Sequence, residues 1–297
     1  LRNQYKVAVL SRGYKRHSRG YFLANEDSQA RVIGDEPFQI KNKFSDIRVA
    51  VDENRCHGIE QLLQLKDPEV DVILLDDAFQ HRYVKAGINI LLTDYNRLFC
   101  EDKLLPAGRL RESRKGKNRA QIVIVTKCPA DIKPIDFKII SKQLDLFPFQ
   151  KLYFSTFQYG KLTPVFKNLE QTERALSSIQ ADEQILLLTG IASPLTLVNE
   201  LHNYTSHVDY LAFDDHHDFS AKDMELLHER FNQIKAEKKI IVTTEKDAAR
   251  LLHHPALKNE LKSYLYALPI EVKILQNQEK KFNQNIIGYV RENKKNS

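Results

Sequence analysis

Cysteine is scarce in this sequence. There are three, Cys56, Cys100 and Cys128, and no two stand at C-x-x-C spacing. They offer no zinc framework and argue against a disulfide scaffold, which fits a reducing compartment. Long hydrophobic runs are missing too. The longest, such as Val72-Ile73-Leu74-Leu75, fall far short of the roughly 20 residues that span a bilayer. No signal peptide, internal repeat or low-complexity tract is visible. What remains is ordinary globular material: 297 residues, 42% hydrophobic and 28% charged. That is enough for one large α/β unit or two medium ones.

The formal net charge is +6. It is concentrated in one cluster of Arg12, Lys15, Arg16 and Arg19 and another of Arg109, Arg111, Arg114, Lys115, Lys117 and Arg119. Such clusters attract phosphates, anionic lipid surfaces or nucleic acid, or simply form a solvated basic face.

Apolar runs alternate with amphipathic stretches. Strands are expected at Lys6–Leu10, Ile47–Val51, Val70–Leu75, Ile88–Thr93 and Gln121–Val125, and again at Gln184–Leu188, Val208–Phe213 and Lys239–Thr243. Runs without polar alternation indicate burial on both faces, as in a mostly parallel sheet. Helical patterns at Gly58–Leu65, Ile135–Leu146, Pro194–Leu201 and Ala221–Phe231 complete a doubly wound α/β plan. Ser193 and Ser220 stand at the cap positions of the last two, and Pro194 suits a first turn. Leu152–Phe157 and Leu162–Phe166, around Gln158-Tyr159-Gly160-Lys161, read as a β-hairpin. The expected division is a core lobe at 1–150, a hairpin linker at 151–167, a second, smaller α/β lobe at 168–282 and a return segment at 283–297.

The densest polar chemistry follows the third strand. Val70 to Leu75 ends in Asp76-Asp77, which places carboxylates at the carboxyl edge of a parallel sheet, where ligands bind in open α/β folds. Phosphotransferases hold Mg²⁺ with such an Asp, and an Asp there can also cap the next helix. Ala78-Phe79-Gln80-His81-Arg82 follows directly, a concentration of polar groups that is costly to bury without partners.

Asp76-Asp77-Ala78-Phe79-Gln80-His81 is similar to the Walker B region of the lipid A 4'-kinase (tetraacyldisaccharide 4'-kinase) family. Further segments match in order: Ser11-Arg12-Gly13-Tyr14, Gly34-Asp35-Glu36-Pro37, Leu105-Pro106-Ala107-Gly108-Arg109-Leu110-Arg111-Glu112, Thr126-Lys127-Cys128-Pro129, Asp215-His216-His217 and Thr243-Thr244-Glu245-Lys246-Asp247. The resemblance covers essentially the whole chain. It implies a P-loop kinase that transfers the γ-phosphoryl of ATP to the 4'-hydroxyl of a tetraacyldisaccharide 1-phosphate with Mg²⁺. It implies work at the cytoplasmic face of the bacterial inner membrane, against an anionic surface, by a monomer that binds no nucleic acid. By the same resemblance Asp35 pairs with His216, or with the adjacent His217, as catalytic base. Asp76, Asp77, Gln80 and Glu112 are the metal candidates. Arg12, Glu36, Gln80, His81, Arg109 and Arg111 are the substrate and phosphate candidates. With Asp35 in the first lobe and His216 in the second, closure of the lobes is expected to assemble the base.

No glycine opens the family's phosphate loop, G-x-x-x-x-G-K-[ST]. The chain begins at Leu1, so the loop is expected upstream, and residues 1–297 alone are expected to bind ATP weakly, to turn over little and to lack a central strand. Two other readings stay open. Thr126-Lys127 could belong to a GTPase-like switch, although no Asp stands two places after Lys127. The basic clusters, with Tyr14 and Tyr21 nearby, could serve a non-catalytic nucleic-acid module, although no RNP-like or helix-turn-helix pattern accompanies them.

Overall fold

The computed structural model describes residues 1–166, 169, 171–215 and 217–294. In chain order its elements begin with β1 (Val7–Ser11), β2 (Phe22–Leu23), α1 (Ala30–Ile33), α2 (Asp35–Lys43), β3 (Arg48–Val51), α3 (Arg55–Leu63), β4 (Val72–Leu75), β5 (Ile90–Asp94), β6 (Ile122–Thr126), α4 (Pro134–Leu144) and β7 (Lys151–Tyr159). They continue with β8 (Thr163–Pro164), β9 (Gln184–Thr189), α5 (Pro194–His202), β10 (Val208–Ala212), α6 (Ala221–Gln233), β11 (Lys239–Thr244), α7 (Glu245–Leu251), α8 (Asn259–Lys262), β12 (Leu265–Leu268), β13 (Ile270–Ile274) and α9 (Glu279–Lys294). Among the described residues no helix is long and apolar enough to cross a membrane.

The chain forms two compact units. One comprises Leu1–Asp27, Phe44–Gln158 and the segment from Val272 onward; the other comprises Ser28–Lys43 and Tyr159–Glu271. These limits cross the boundaries expected from sequence, because α1 and α2 fold with the second unit.

The first unit carries two four-stranded sheets, ordered β2-β3-β1-β4 and β13-β7-β6-β5. In the first sheet β3 and β4 run parallel to β1 on either side of it, and in the second β5 and β7 run parallel to β6. The apolar run Val7 to Leu10 is buried throughout, as continuous hydrophobic strands require. Ala8, Leu10, Ala50 and Leu62 form the core of the first sheet, and Val123, Val125, Ile140, Leu144 and Phe154 that of the second.

The second unit has one five-stranded sheet, β10-β9-β11-β12-β8, with β8 antiparallel at its edge. Successive strand side chains point to opposite faces, and β9 serves both. Ile185 and Leu187 join Leu197, Val198 and Leu201 of α5 on one face. Leu186 and Leu188 join Met224, Leu227 and Phe231 of α6 on the other. Ser220 caps α6 in a capping box with Asp223. Ser193 stands at the N-cap of α5, but its side chain makes no capping bond.

The expected hairpin does not form. β7 pairs with β6, whereas β8 pairs with β12, so the two strands lie in different sheets. The glycine between them does not close a tight turn. Its N–H donates to Pro269 O at 2.9 Å, and Leu162 exchanges backbone bonds with Arg174.

The three cysteines are free. Cys128 is 3% exposed, and burial pushes its thiol up to about 11. At pH 8 roughly one such thiol in 10³ is ionised, and the thiolate is the reactive species. Alkylation of the native protein should therefore modify Cys56 first and reach Cys128 only after unfolding, as peptide mass mapping would show; equal native rates would contradict this burial.

Candidate active site

Parallel pairing aligns the carboxyl ends of β1, β3 and β4, and polar side chains gather there. Asp76 N–H donates to Leu10 O at 3.0 Å, and Asp52 N–H donates to Ser11 O at 3.0 Å. The hydroxyl of Ser11 donates to Asp76 Oδ2 at 3.0 Å. Arg55, only 3% exposed, clamps this edge from α3 by donating to Asp52 O at 2.6 Å and Asp76 O at 3.2 Å. Burial lowers its pKa from the ordinary guanidinium value. Sequence reasoning alone misses Arg55; only its position shortly beyond the expected end of a strand could have marked it.

Asp77 takes a left-handed backbone, φ 43°, which Asp tolerates better than most residues. Its carboxylate receives both Arg111 nitrogens, at 3.0 and 2.5 Å, a bidentate fork. That bond is the chief reason the Arg111 pKa is raised. Beside it Gln80 Nε2 donates to Glu112 Oε1 at 3.3 Å, and Arg119 donates to the same oxygen at 2.7 Å. Gln80 Oε1 and His81 Nε2 are buried without a protein hydrogen-bond partner. Buried polar atoms left this way point to a ligand, an ion or water.

Among the described residues no three His, Cys, Asp or Glu side chains gather as a self-sufficient metal cage. Mg²⁺ does not need one, since it is commonly held by one or two carboxylates with phosphate oxygens and water completing the shell. The Asp76-Asp77 pair and the orphaned Gln80 oxygen fit that chemistry. Glu112 is engaged by Arg119 much as Asp77 is by Arg111, and Gly116 packs tightly against its carboxylate.

Of the basic residues, Arg16 pairs with Glu53 at 2.8 Å, Arg114 donates to Asp102 O at 2.8 Å, and Lys117 donates to Leu144 O at 2.9 Å. These positions serve the fold. Arg12 and Arg109 are exposed, as is Glu36. Lys127, in the segment that suggested a guanine-reading element, is paired with Asp94 at 2.8 Å.

Asp35 lies in the first turn of α2, entered through Gly34 at φ 93°, a conformation that glycine adopts freely. An acidic residue is favourable at that helix end. Asp35 sits in the second unit, together with Phe213, Asp214, Asp215 and His217, and not in a separate lobe. Nothing local in the sequence signals this, because the contacts that place α2 span more than 200 residues, as in Lys43–Glu245 at 3.0 Å and Gln39–Glu245 at 3.1 Å. Closure is not what brings these two segments into one unit. Arg250 of α7 makes an ion pair with Asp35 and donates to His217 O at 2.9 Å.

His216 lies outside the described residues. His217 donates from Nε2 to Asp223 Oδ2 at 2.9 Å, and its ring stacks on Phe213 at 4.6 Å. Burial pushes Asp223 up, but bonds from Ser220 and His217 outweigh it and hold the carboxyl below its ordinary value. Next to this loop, at the carboxyl ends of β9 and β10, is a cavity of ≈ 510 Å³ lined by Ile191, Pro194, Phe213, Asp214, Asp215 and His217.

The architecture is an α/β fold shared with the crystal structure of the "apo" form of LpxK from Aquifex aeolicus in complex with ATP, which matches with a TM-score of 0.70 and 24% identity, over 97% of this chain and 80% of that one. The match to the tetraacyldisaccharide-1-P 4'-kinase description extends over residues 1–291, and the chain belongs to that family. It is 65% identical over its full length to the tetraacyldisaccharide 4'-kinase of Bacteroides fragilis strain YCH46, covering 79% of that protein. Against that of Bacteroides thetaiotaomicron it is 64% identical and covers 80%.

Proposed function

We propose that this protein transfers the γ-phosphoryl group of ATP to the 4'-hydroxyl of a tetraacyldisaccharide 1-phosphate. The observation that carries this reading is the family match over residues 1–291. It favours the kinase reading over the GTPase-like and nucleic-acid ones.

In the proposed mechanism His216 accepts the hydroxyl proton, since imidazole titrates near neutrality and can act as a base there. Asp35 orients it and stabilises the imidazolium. The anchoring of His217 on Asp223 and Phe213 favours His216 for this role. The cavity beside Asp214 and Asp215 offers room for part of the sugar acceptor.

Asp77, supported by Asp76 and Gln80, would hold Mg²⁺ with the triphosphate. When bound, the ion neutralises charge on the phosphoryl oxygens. Arg111, whose fork now grips Asp77, and Arg12 and Arg109 supply the cationic contacts to phosphate; arginine forks match that geometry. Glu36 and His81 complete the substrate contacts. Exposed Arg12, Lys15 and Arg19 support peripheral contact with an anionic membrane surface, which suits a lipid acceptor and a site on the cytoplasmic face of the inner membrane.

Incubation of the full-length protein with γ-radiolabelled ATP, Mg²⁺ and tetraacyldisaccharide 1-phosphate tests the proposal. The label should appear on the lipid at the 4' position. Label released only as inorganic phosphate would contradict it.

A further inference from the structure

We infer that Arg250 is a positioning residue for Asp35, and that α7 is the bracket tying α2 to the chain neighbours of the proposed base, Asp215 and His217. The inference rests on the proposed roles of Asp35 and His216.

α7 begins with the segment Thr244-Glu245-Lys246-Asp247, and each of these residues has a distinct attachment. Thr244 caps the helix, accepting from Asp247 N–H at 3.1 Å. Glu245 receives Lys43 at 3.0 Å and Gln39 at 3.1 Å, which ties down α2. Lys246 reaches Asp215 at 3.0 Å, immediately before His216. Arg250 donates to His217 O at 2.9 Å, immediately after it. One short helix thus holds the α2 helix that starts with Asp35 and both chain neighbours of His216.

Arg250 is the centre of this arrangement. Its side chain is 9% exposed, and it donates to Asp35, to His217 O and to Asp247 Oδ1, the last at 3.3 Å. Asp247 is 0% exposed and is fixed in turn. It accepts from Thr244 Oγ1 at 2.7 Å, Gly190 N–H at 3.0 Å and Thr189 Oγ1 at 3.2 Å. Those partners end β9 and β11, so the guanidinium is referred to the carboxyl edge of the second unit's sheet. Gly190 leaves little slack, since a Cβ there would stand 3.3 Å from Asp214 O and 3.4 Å from both Asp247 Oδ1 and His217 Cβ.

The buried guanidinium reaches its three acceptors from two separate nitrogens, Nη1 to His217 O and Asp247 Oδ1 and Nη2 to Asp35. Lys carries the same charge but has no planar fork to span a carboxylate, a carbonyl and a second carboxylate. Were Arg250 only a counter-charge for buried Asp247, Lys would suffice. As a positioning residue it needs its geometry, and small misplacement of reacting groups costs about 10²-fold in rate.

The test uses the full-length kinase as four proteins: parent, Arg250→Lys, Asp35→Asn and the double variant. Arg250→Lys should unfold near the parental temperature and keep the parental KM for ATP, while kcat falls about 10²-fold. In the Asp35→Asn background the same change should cost little more, because both substitutions disable one unit. Parental kcat in Arg250→Lys, or a full multiplicative loss in the double variant, would overturn the inference. Parental kcat in Asp35→Asn would remove the underlying reading as well, whereas a slow Asp35→Asn beside a fast Arg250→Lys would sink only the role of Arg250.

Discussion

Asp35→Asn should reduce kcat by roughly 10²–10⁴-fold, the range associated with general base catalysis, and leave the KM for ATP within about twofold of the parent. The carboxylate is replaced by a group of the same shape that can still accept a hydrogen bond from Arg250. What disappears is the negative charge that would stabilise an imidazolium at His216. The ion pair itself is partly shielded, with the two side chains 21% and 9% exposed, so some loss of stability is expected with the loss of rate. Thermal unfolding separates the two effects. An Asn variant that is folded and slow supports the assignment, and one that is folded and fast refutes it.

The second large effect is expected at Asp77. Asp77→Asn should lower kcat/KM about 10²–10³-fold, comparable with removal of a key electrostatic contact at a charged transition state, and should raise the Mg²⁺ concentration for half-maximal rate. Stability should hardly change. The Asp77–Arg111 pair is exposed on both sides, 64% and 55%, and exposed pairs contribute about 0–1 kcal/mol. A Mg²⁺ titration that superimposes on the parent would remove Asp77 from the metal site. Asp76 is held more tightly, by Ser11 and by the Arg55 clamp on its carbonyl. Its substitution should show in both folding and rate.

The difference between these two carboxylates reflects how each is positioned. Asp76 and Asp77 are legible in the sequence because a continuous apolar strand in a parallel sheet delivers whatever follows it to the carboxyl edge. β1, β3, β6, β9 and β11 are legible for the same reason, being short apolar runs that must be buried on both faces. The expected hairpin fails because a glycine between two apolar runs looks the same whether the chain reverses or passes into another sheet. Strand pairing is decided by partners far along the chain, here Ile122–Val125 for β7 and Tyr266–Ala267 for β8.

The same dependence on long-range contacts hides the setting of Asp35. Its turn, Gly34-Asp35-Glu36-Pro37, is recognisable by resemblance, but its neighbours come from α7, more than 200 residues away. Thr244-Glu245-Lys246-Asp247 stands out as a family segment, yet its residues alone assign it no task beyond starting a helix, with Thr as cap and acids in the first turn. Only the folded unit shows that each side chain grips a different neighbour. The setting of His217 is equally hidden: only with Asp223 in its place in the α6 cap does its ring gain a partner, beside the stacking surface of Phe213.

The most direct measurement is kcat for Asp35→Asn, His216→Ala and their combination, with the parent, at saturating ATP and acceptor. If the acidic turn and the imidazole act as one proton-accepting unit, the double variant should turn over within about twofold of the slower single variant. Losses that multiply would mean that the two residues act independently, and that the second unit does not carry a shared base.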